Sequence, residues 1–336
     1  MRDFLQQCFD AAGSAAVLSD DKRRRLADGL GSSCRAKVHH RSITPIRRSL
    51  VFMCTNDAGK RLGIVSPVSG LIDELKGPED RLLLEGIPAR IRTVQTTARA
   101  AAWLRDLLPY LKARPLGLKR SAGFGDRLGL ATPGHVRAVR KTNLAPIFAQ
   151  QSVRENERTG RSAQEVLDDA MWGAFQEGWV DGFGADADHL KKTEQASAFA
   201  AAGYSFFTID PGEYVDNEAS LASLHILEQK IQALPWGGLE STYQDLQHRL
   251  VEKPIDLGTF KVVFGRDDIL RAAAKYGKAV AHTVRMYRHL EQATGGRPYE
   301  FEMSVDETDS PTALAEHVYV ASELKRLKVK WVSLAP

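Results

Sequence analysis

The densest set of side chains able to do chemistry is the run Gly184-Ala185-Asp186-Ala187-Asp188-His189-Leu190-Lys191. It brings carboxylates, an imidazole and an ammonium together after one short apolar stretch. In extended backbone Asp186 and Asp188 share a face, and His189 points the other way. At a strand end the chain can turn, and Asp188 and His189 then reach one cavity. A polar turn whose aspartate caps the next helix would use the same residues.

Other candidates follow other apolar runs. In Gly123-Phe124-Gly125-Asp126-Arg127-Leu128-Gly129 the glycines allow backbone amides near an anion, and Arg127 adds a fork for a carboxylate or phosphate. Its spacing is not a dinucleotide fingerprint, and a tight structural turn is the competing reading. Alternation over residues 299–307 puts Glu300, Glu302 and Ser304 on one face and Phe301, Met303 and Val305 on the other. A carboxylate facing a packed centre needs a function or a charged partner. Glu302 is therefore an acid/base or ligand candidate, with an ion pair to Lys119, Arg120 or Arg127 as the structural alternative. Asp210, before Pro211-Gly212, fits a turn or a substrate contact. Gln150, with Gln151, Ser152, Arg154 and Glu155, can exchange hydrogen bonds with sugar hydroxyls. His135, His282 and His317 fall on predicted helices and read as structural.

There is no Gly-x-Ser-x-Gly elbow and no Walker loop. The three cysteines, Cys8, Cys34 and Cys54, form no Cys-x-x-Cys pair, so neither a thiolate zinc site nor a disulfide framework is expected. What remains is metal-assisted or carboxylate acid/base chemistry on a polar substrate.

These residues need a scaffold. From about residue 116, short apolar runs (116–120, 145–150, 179–185, 204–209, 299–305, 329–334) alternate with amphipathic helices. Thr132-Pro133, the capping box Ser162–Glu165 and Ser310-Pro311 mark helix starts. Repeated strand–helix units imply parallel strands. Asp126, Asp186, Asp188, His189, Asp210, Glu302, Asp306 and Glu307 lie in or just after many different runs, which suits a barrel better than the single switch point of a doubly wound sheet. The expectation is an α/β chain: a (β/α)8 TIM-like barrel over residues 113–336, behind an N-terminal α/β extension over residues 1–112. That extension should hold a hairpin at 48–65, turning at Asn56–Gly59, and a helix at 96–111. Residues 260–264 read as an excursion. The runs are too few for eight strands, and 330–334 would leave an open apolar edge, so the natural protein is expected to continue past Pro336.

The chain has 336 residues and a net charge of +4. Its basic run Lys22–Arg25 carries no interleaved aromatics, so no nucleic-acid partner is expected. No signal-peptide pattern and no apolar run long enough to span a bilayer are present. A soluble cytoplasmic protein with no membrane partner follows as the expectation.

Residues 125–135, 185–191, 207–212, 304–308 and 332–336 together resemble signatures of the tagaturonate epimerase family. The resemblance implies interconversion of D-tagaturonate and D-fructuronate in hexuronate breakdown, with a divalent metal as cofactor and a small sugar acid as partner. It implies Asp188 as proton acceptor, Glu302 as proton donor and His189 as a metal ligand. It also places the family's other metal-binding histidines downstream of Pro336. Asp126, Arg127, Lys191, Asp210 and Gln150 are then substrate-binding candidates, with Arg127 or Lys191 on the substrate carboxylate. The carbon inverted in that reaction lies one bond beyond the carbon next to the ketone, so its hydrogen is not acidified. Retro-aldol cleavage and re-formation is the expected route. Competing readings are a metal-dependent epimerase or aldolase for another sugar, and a non-catalytic sugar-acid-binding fragment.

Overall fold

A computed structural model describes residues 1–10, 18–306 and 308–335. Glu307 and Pro336, which fall in two of the motifs above, lie outside the described residues. The chain forms two compact units. Unit 1 comprises Met1–Ala113, Lys119–Ala149 and Arg158–Gly184, and unit 2 comprises Arg114–Leu118, Gln150–Glu157 and Ala185–Pro336.

Unit 1 opens with the helices Arg2–Asp10 and Asp20–Cys34, and an antiparallel sheet follows. Its strands are β1 (Lys37–Val38), β2 (Thr44–Ile46), β3 (Ser49–Asn56), β4 (Gly59–Ser66), β5 (Glu79–Leu84) and β6 (Ile87–Gln95). They lie in the order β1-β3-β4-β6-β5, with β2 on β3. The expected hairpin is β3–β4, in register from Asn56↔Gly59 to Leu50↔Val65. Phe52 sits opposite Gly63, and a Cβ there would lie 2.2 Å from the Phe52 ring, so glycine is the residue that admits it. Leu50, Phe52 and Cys54 pack with Leu5 and Leu30 into a fully buried core. The expected helix runs Ala98–Leu107, capped by Thr97 and burying Ala100 and Leu104.

Also in unit 1, β7 (Ser121–Gly123) pairs in parallel with the first residues of β8 (Ala145–Ser152). The Ser162 capping box forms as read, with Glu165 Oε2 accepting from the Ser162 N–H at 2.8 Å. The helix Thr132–Val139 also forms, but the group that holds its start comes from further back: the Asp126 carboxylate, rather than Thr132, accepts the amides of Leu130 and Ala131 leading into it and of Thr132, its first residue.

Unit 2 carries the end of β8, then β9 (Gly184–Leu190), the helix Thr193–Ala202 and β10 (Phe206–Ile209). An excursion follows, with the short antiparallel pair β11 (Ile255–Asp256) and β12 (Lys261–Val262) and the helix Arg266–Ala293. The chain returns as β13 (Glu300–Ser304), the helix Leu314–Arg326 and β14 (Ser333–Ala335). The order β14-β13-β10-β9-β8 repeats chain order, and pairing through β9, β10, β13 and β14 is parallel. No reversal of order occurs among these strands, so no doubly wound switch point arises. The result is a mixed α/β fold with a parallel half-barrel sheet.

Phe207, Phe301 and Tyr276 are fully buried, and each buried aromatic contributes roughly 2–3 kcal/mol by removal of apolar surface from water. Several expected boundaries move: the 116–120 run lies before β7, and the 329–334 run forms a strand only from Ser333. The 179–185 run is mostly the approach to β9, so Asp186–His189 lie inside a strand rather than after one. Ser310 does not start a helix: the helix begins at Leu314, and Ser310 Oγ accepts from the buried Lys275 ammonium at 3.0 Å. Lys275 also pairs with Glu316 at 3.1 Å, which satisfies a charge that burial would otherwise leave stranded.

Candidate active site

The site in unit 2 begins with a register irregularity. Phe206 pairs with Asp186 and Phe207 with Ala187, but Ile209 pairs with Leu190. Asp188 and His189 therefore share the place opposite Thr208, which is a β-bulge. His189 takes φ +52°, a left-handed conformation that non-glycine residues adopt rarely. The bulge breaks the alternation of the strand. Asp188 and His189, neighbours in sequence, both line one cavity of about 300 Å³. Lys191, Gln195 and Asp210 line it too, with Ser152–Glu155 and Glu157 from the segment after β8.

Charge organises this cavity. His189 Nδ1 lies 3.4 Å from Asp210 Oδ2, and Nε2 lies 3.7 Å from Asp188 Oδ1. The Asp210 hydrogen bond outweighs burial and, with the nearby carboxylates of Asp188 and Asp306, raises the imidazole pKa to about 9. His189 is thus a cation at neutral pH. Burial pushes Asp210 up, but hydrogen bonds from His189 and the Gly212 amide, with the Lys191 charge, hold it below the usual carboxylate range. Lys191 Nζ lies 3.4 Å from Asp210 and 3.6 Å from Glu213. Asp188 goes the other way: burial raises its pKa against the pull of His189, and Glu155, Glu302 and Asp306 add to the rise. A carboxyl raised in this manner is a stronger base than an ordinary carboxylate, which suits a proton acceptor.

Two further carboxyl groups, those of Asp186 and Glu302, meet at Thr208. Thr208 is in register with Glu302 on β13. Its Oγ1 lies 3.0 Å from Asp186 Oδ1 and 3.3 Å from Glu302 Oε1. Asp186 is buried and Glu302 half-buried. Glu300, on the same face of β13, is a backbone anchor: its carboxylate accepts the amides of Leu116 and Gly117.

Of the residues singled out from sequence, the fold brings Ser152, Arg154, Glu155, Asp188, His189, Lys191 and Asp210 to the cavity, whereas Glu302, 3.3 Å from Thr208 Oγ1, is not among its lining residues. Gln150 is half-buried on β8 and is not among the lining residues. Asp126 and Arg127 belong to unit 1. Both Asp126 oxygens are committed to the helix cap, taking the amides of Leu130, Ala131 and Thr132 and the Thr132 hydroxyl, each at 2.9 Å. Arg127 is exposed. His282 stacks on Tyr214 at 4.2 Å, and burial with the neighbouring Arg285 lowers its pKa to about 4. Two participants escaped the sequence reading. Gln195 accepts the Lys191 and Lys192 amides, which fixes the end of β9; the spacing Lys192-x-x-Gln195 carried half of a capping-box signal. Thr208 was hidden because a threonine inside an apolar strand reads as packing.

The described side chains do not fit a divalent ion by themselves. Both nitrogens of His189 face carboxylates, and among the described residues no three His, Cys, Asp or Glu side chains converge where an ion would sit.

The chain is similar to several known proteins. The family model described as tagaturonate epimerase matches residues 39–336. A tagaturonate/fructuronate epimerase of Thermotoga maritima is 43% identical over 232 residues, covering 69% of this chain and 46% of that protein. The native crystal structure of fructuronate-tagaturonate epimerase UxaE from Cohnella laeviribosi matches with a TM-score of 0.80 at 33% identity, over 93% of this chain and 62% of that one. The same enzyme complexed with one glycerol gives 0.80 at 33% identity, over 94% and 62%. The chain thus spans about half the length of the Thermotoga relative.

Proposed function

Because the chain belongs to the tagaturonate epimerase family, we propose that it interconverts D-tagaturonate and D-fructuronate, with Asp188 as proton acceptor and Glu302 as proton donor. The observation that carries this reading is the bulge in β9, which turns Asp188 and His189 into one cavity beside Lys191 and Asp210. An enzyme for a uronate needs cations for the substrate carboxylate next to a carboxyl that exchanges protons. Lys191 and the His189 imidazolium supply the cations.

The hydrogen at the inverted carbon is not acidified by the ketone, so direct deprotonation there is disfavoured. In the proposed route Asp188 removes the hydroxyl proton at that carbon. The bond to the next carbon breaks, and its electrons pass toward the ketone to give an enediolate and an aldehyde. The aldehyde rotates, the bond re-forms on its other face, and the new alkoxide takes a proton from Glu302. Solvent returns the proton from Asp188 to Glu302 before the next turnover. His189 and Lys191 favour the enediolate by charge.

The half-barrel sheet is proposed as part of a closed (β/α)8 barrel, with residues 113–336 as its catalytic portion and residues 1–112 as an extension. Unreversed strand order supports that reading. Cytoplasmic location is likewise proposed. Among the described residues no helix is long and apolar enough to cross a membrane, and Cys8, Cys34 and Cys54 are free thiols. His189 stays in the proposal as one ligand of a divalent ion only in its neutral form, since an imidazolium has no free lone pair; the ion would then supply the positive charge.

NMR assays with tagaturonate, fructose and tagatose test the function. Conversion of tagaturonate to fructuronate alone is the expected result. Turnover confined to the neutral ketoses would overturn the substrate assignment. Failure to trap an aldehyde, with exchange of hydrogen at the inverted carbon, would overturn the retro-aldol route.

A further inference from the structure

Thr208 stands between two carboxyl groups and owns one hydroxyl hydrogen. Its Oγ1 is 3.0 Å from Asp186 Oδ1 and 3.3 Å from Glu302 Oε1. An ionised carboxylate only accepts hydrogen bonds. Were both groups ionised, one of these contacts would set oxygen lone pairs against each other with no hydrogen between them. Once Glu302 has given up the proton it donates, Asp186 must therefore be the group that brings one. Asp186 is 5% exposed, whereas Glu302 is half-buried, so desolvation assigns the proton to Asp186. The Asp186 O–H then donates to Thr208 Oγ1, which leaves the Thr208 hydrogen a single direction, toward Glu302 Oε1.

We propose that Asp186, as a neutral acid, aims the Thr208 hydroxyl at Glu302, making Asp186 and Thr208 positioning residues for the proton donor. This rests on the role given to Glu302 above. Once Glu302 gives up its proton, its carboxylate meets a hydrogen-bond donor that is already oriented. The free oxygen of Glu302 keeps its direction because the other one is held. Groups facing Asp186 agree: burial raises its pKa well above the usual range, the charges of Asp188 on its own strand and Glu302 on β13 add to this, and Thr208 and His189 oppose it.

Carboxyl-carbon NMR of the 336-residue chain and pH–rate profiles test the inference together. The Asp186 carboxyl is expected to read as protonated at neutral pH. The Glu302 carboxyl resonance should move in Thr208→Val and return in Thr208→Ser. Thr208→Val should lower kcat about tenfold or more with KM little changed, and displace the acid limb of the profile, with Thr208→Ser restoring both. An ionised Asp186 at neutral pH overturns the inference whatever the activity. A Thr208→Val profile superimposed on the parent's overturns it while leaving the epimerase reading intact. If the parent chain does not epimerise, the functional reading fails, and the two carboxyl resonances alone decide this one.

Discussion

Asp188 and His189 are consecutive in the chain, yet both face the same cavity because together they oppose the single residue Thr208. The left-handed backbone of His189 makes this possible. Such strain costs of order 1–3 kcal/mol and persists where the surrounding structure over-determines it. Here the pairing of β9 with β10 and the contact of His189 with Asp210 hold it.

Asp188→Asn and Glu302→Gln keep side-chain shape and remove proton exchange. Each is expected to lower turnover by about 10²–10⁴-fold, with far-ultraviolet circular dichroism unchanged. A loss below fivefold in either would remove that residue from its assigned role.

A metal requirement is tested by chelation. Chelator treatment should abolish epimerisation and a divalent ion should restore it. His189→Gln should remain inactive after the ion is returned. Full activity in the chelated protein would dismiss the cofactor.

Asp126→Ala should destabilise the fold by about 1–2 kcal/mol through loss of the helix cap, measured by denaturant titration. Burial raises the Asp126 pKa, but the hydrogen bonds from Ala131, Thr132 and Leu130 win and lower it. A carboxyl depressed on folding stabilises above its unfolded value, about 3.9, and loses that contribution as pH falls through the folded value. Acid unfolding of the parent should therefore be steeper than that of Asp126→Ala. Equal stability at neutral pH would refute the cap.

Lys275 and Glu316 are both buried and paired at 3.1 Å. Glu316→Ala strands the ammonium and should cost about 3–5 kcal/mol, whereas Lys275→Met with Glu316→Leu should recover much of that loss. A double variant no better than the single would show that the cost is packing rather than charge.

Local chemistry in the sequence determined a good deal. The β3–β4 hairpin, the Ser162 cap, the parallel strand–helix rhythm and the candidacy of Asp188, His189 and Glu302 follow from alternation, turn residues and charge density. These are short-range properties, legible from neighbours. Tertiary structure decided the rest. Alternation alone sends Asp188 and His189 to opposite faces, and only pairing with β10 creates the bulge that reunites them. Asp126 looked like an anion-site residue, and only the folded turn shows its oxygens filled by three amides and a hydroxyl. Thr208 acquires meaning only between Asp186 and Glu302, which lie 22 and 94 residues away in the chain. Register and long-range contact are properties of paired strands, and no single stretch of sequence contains them.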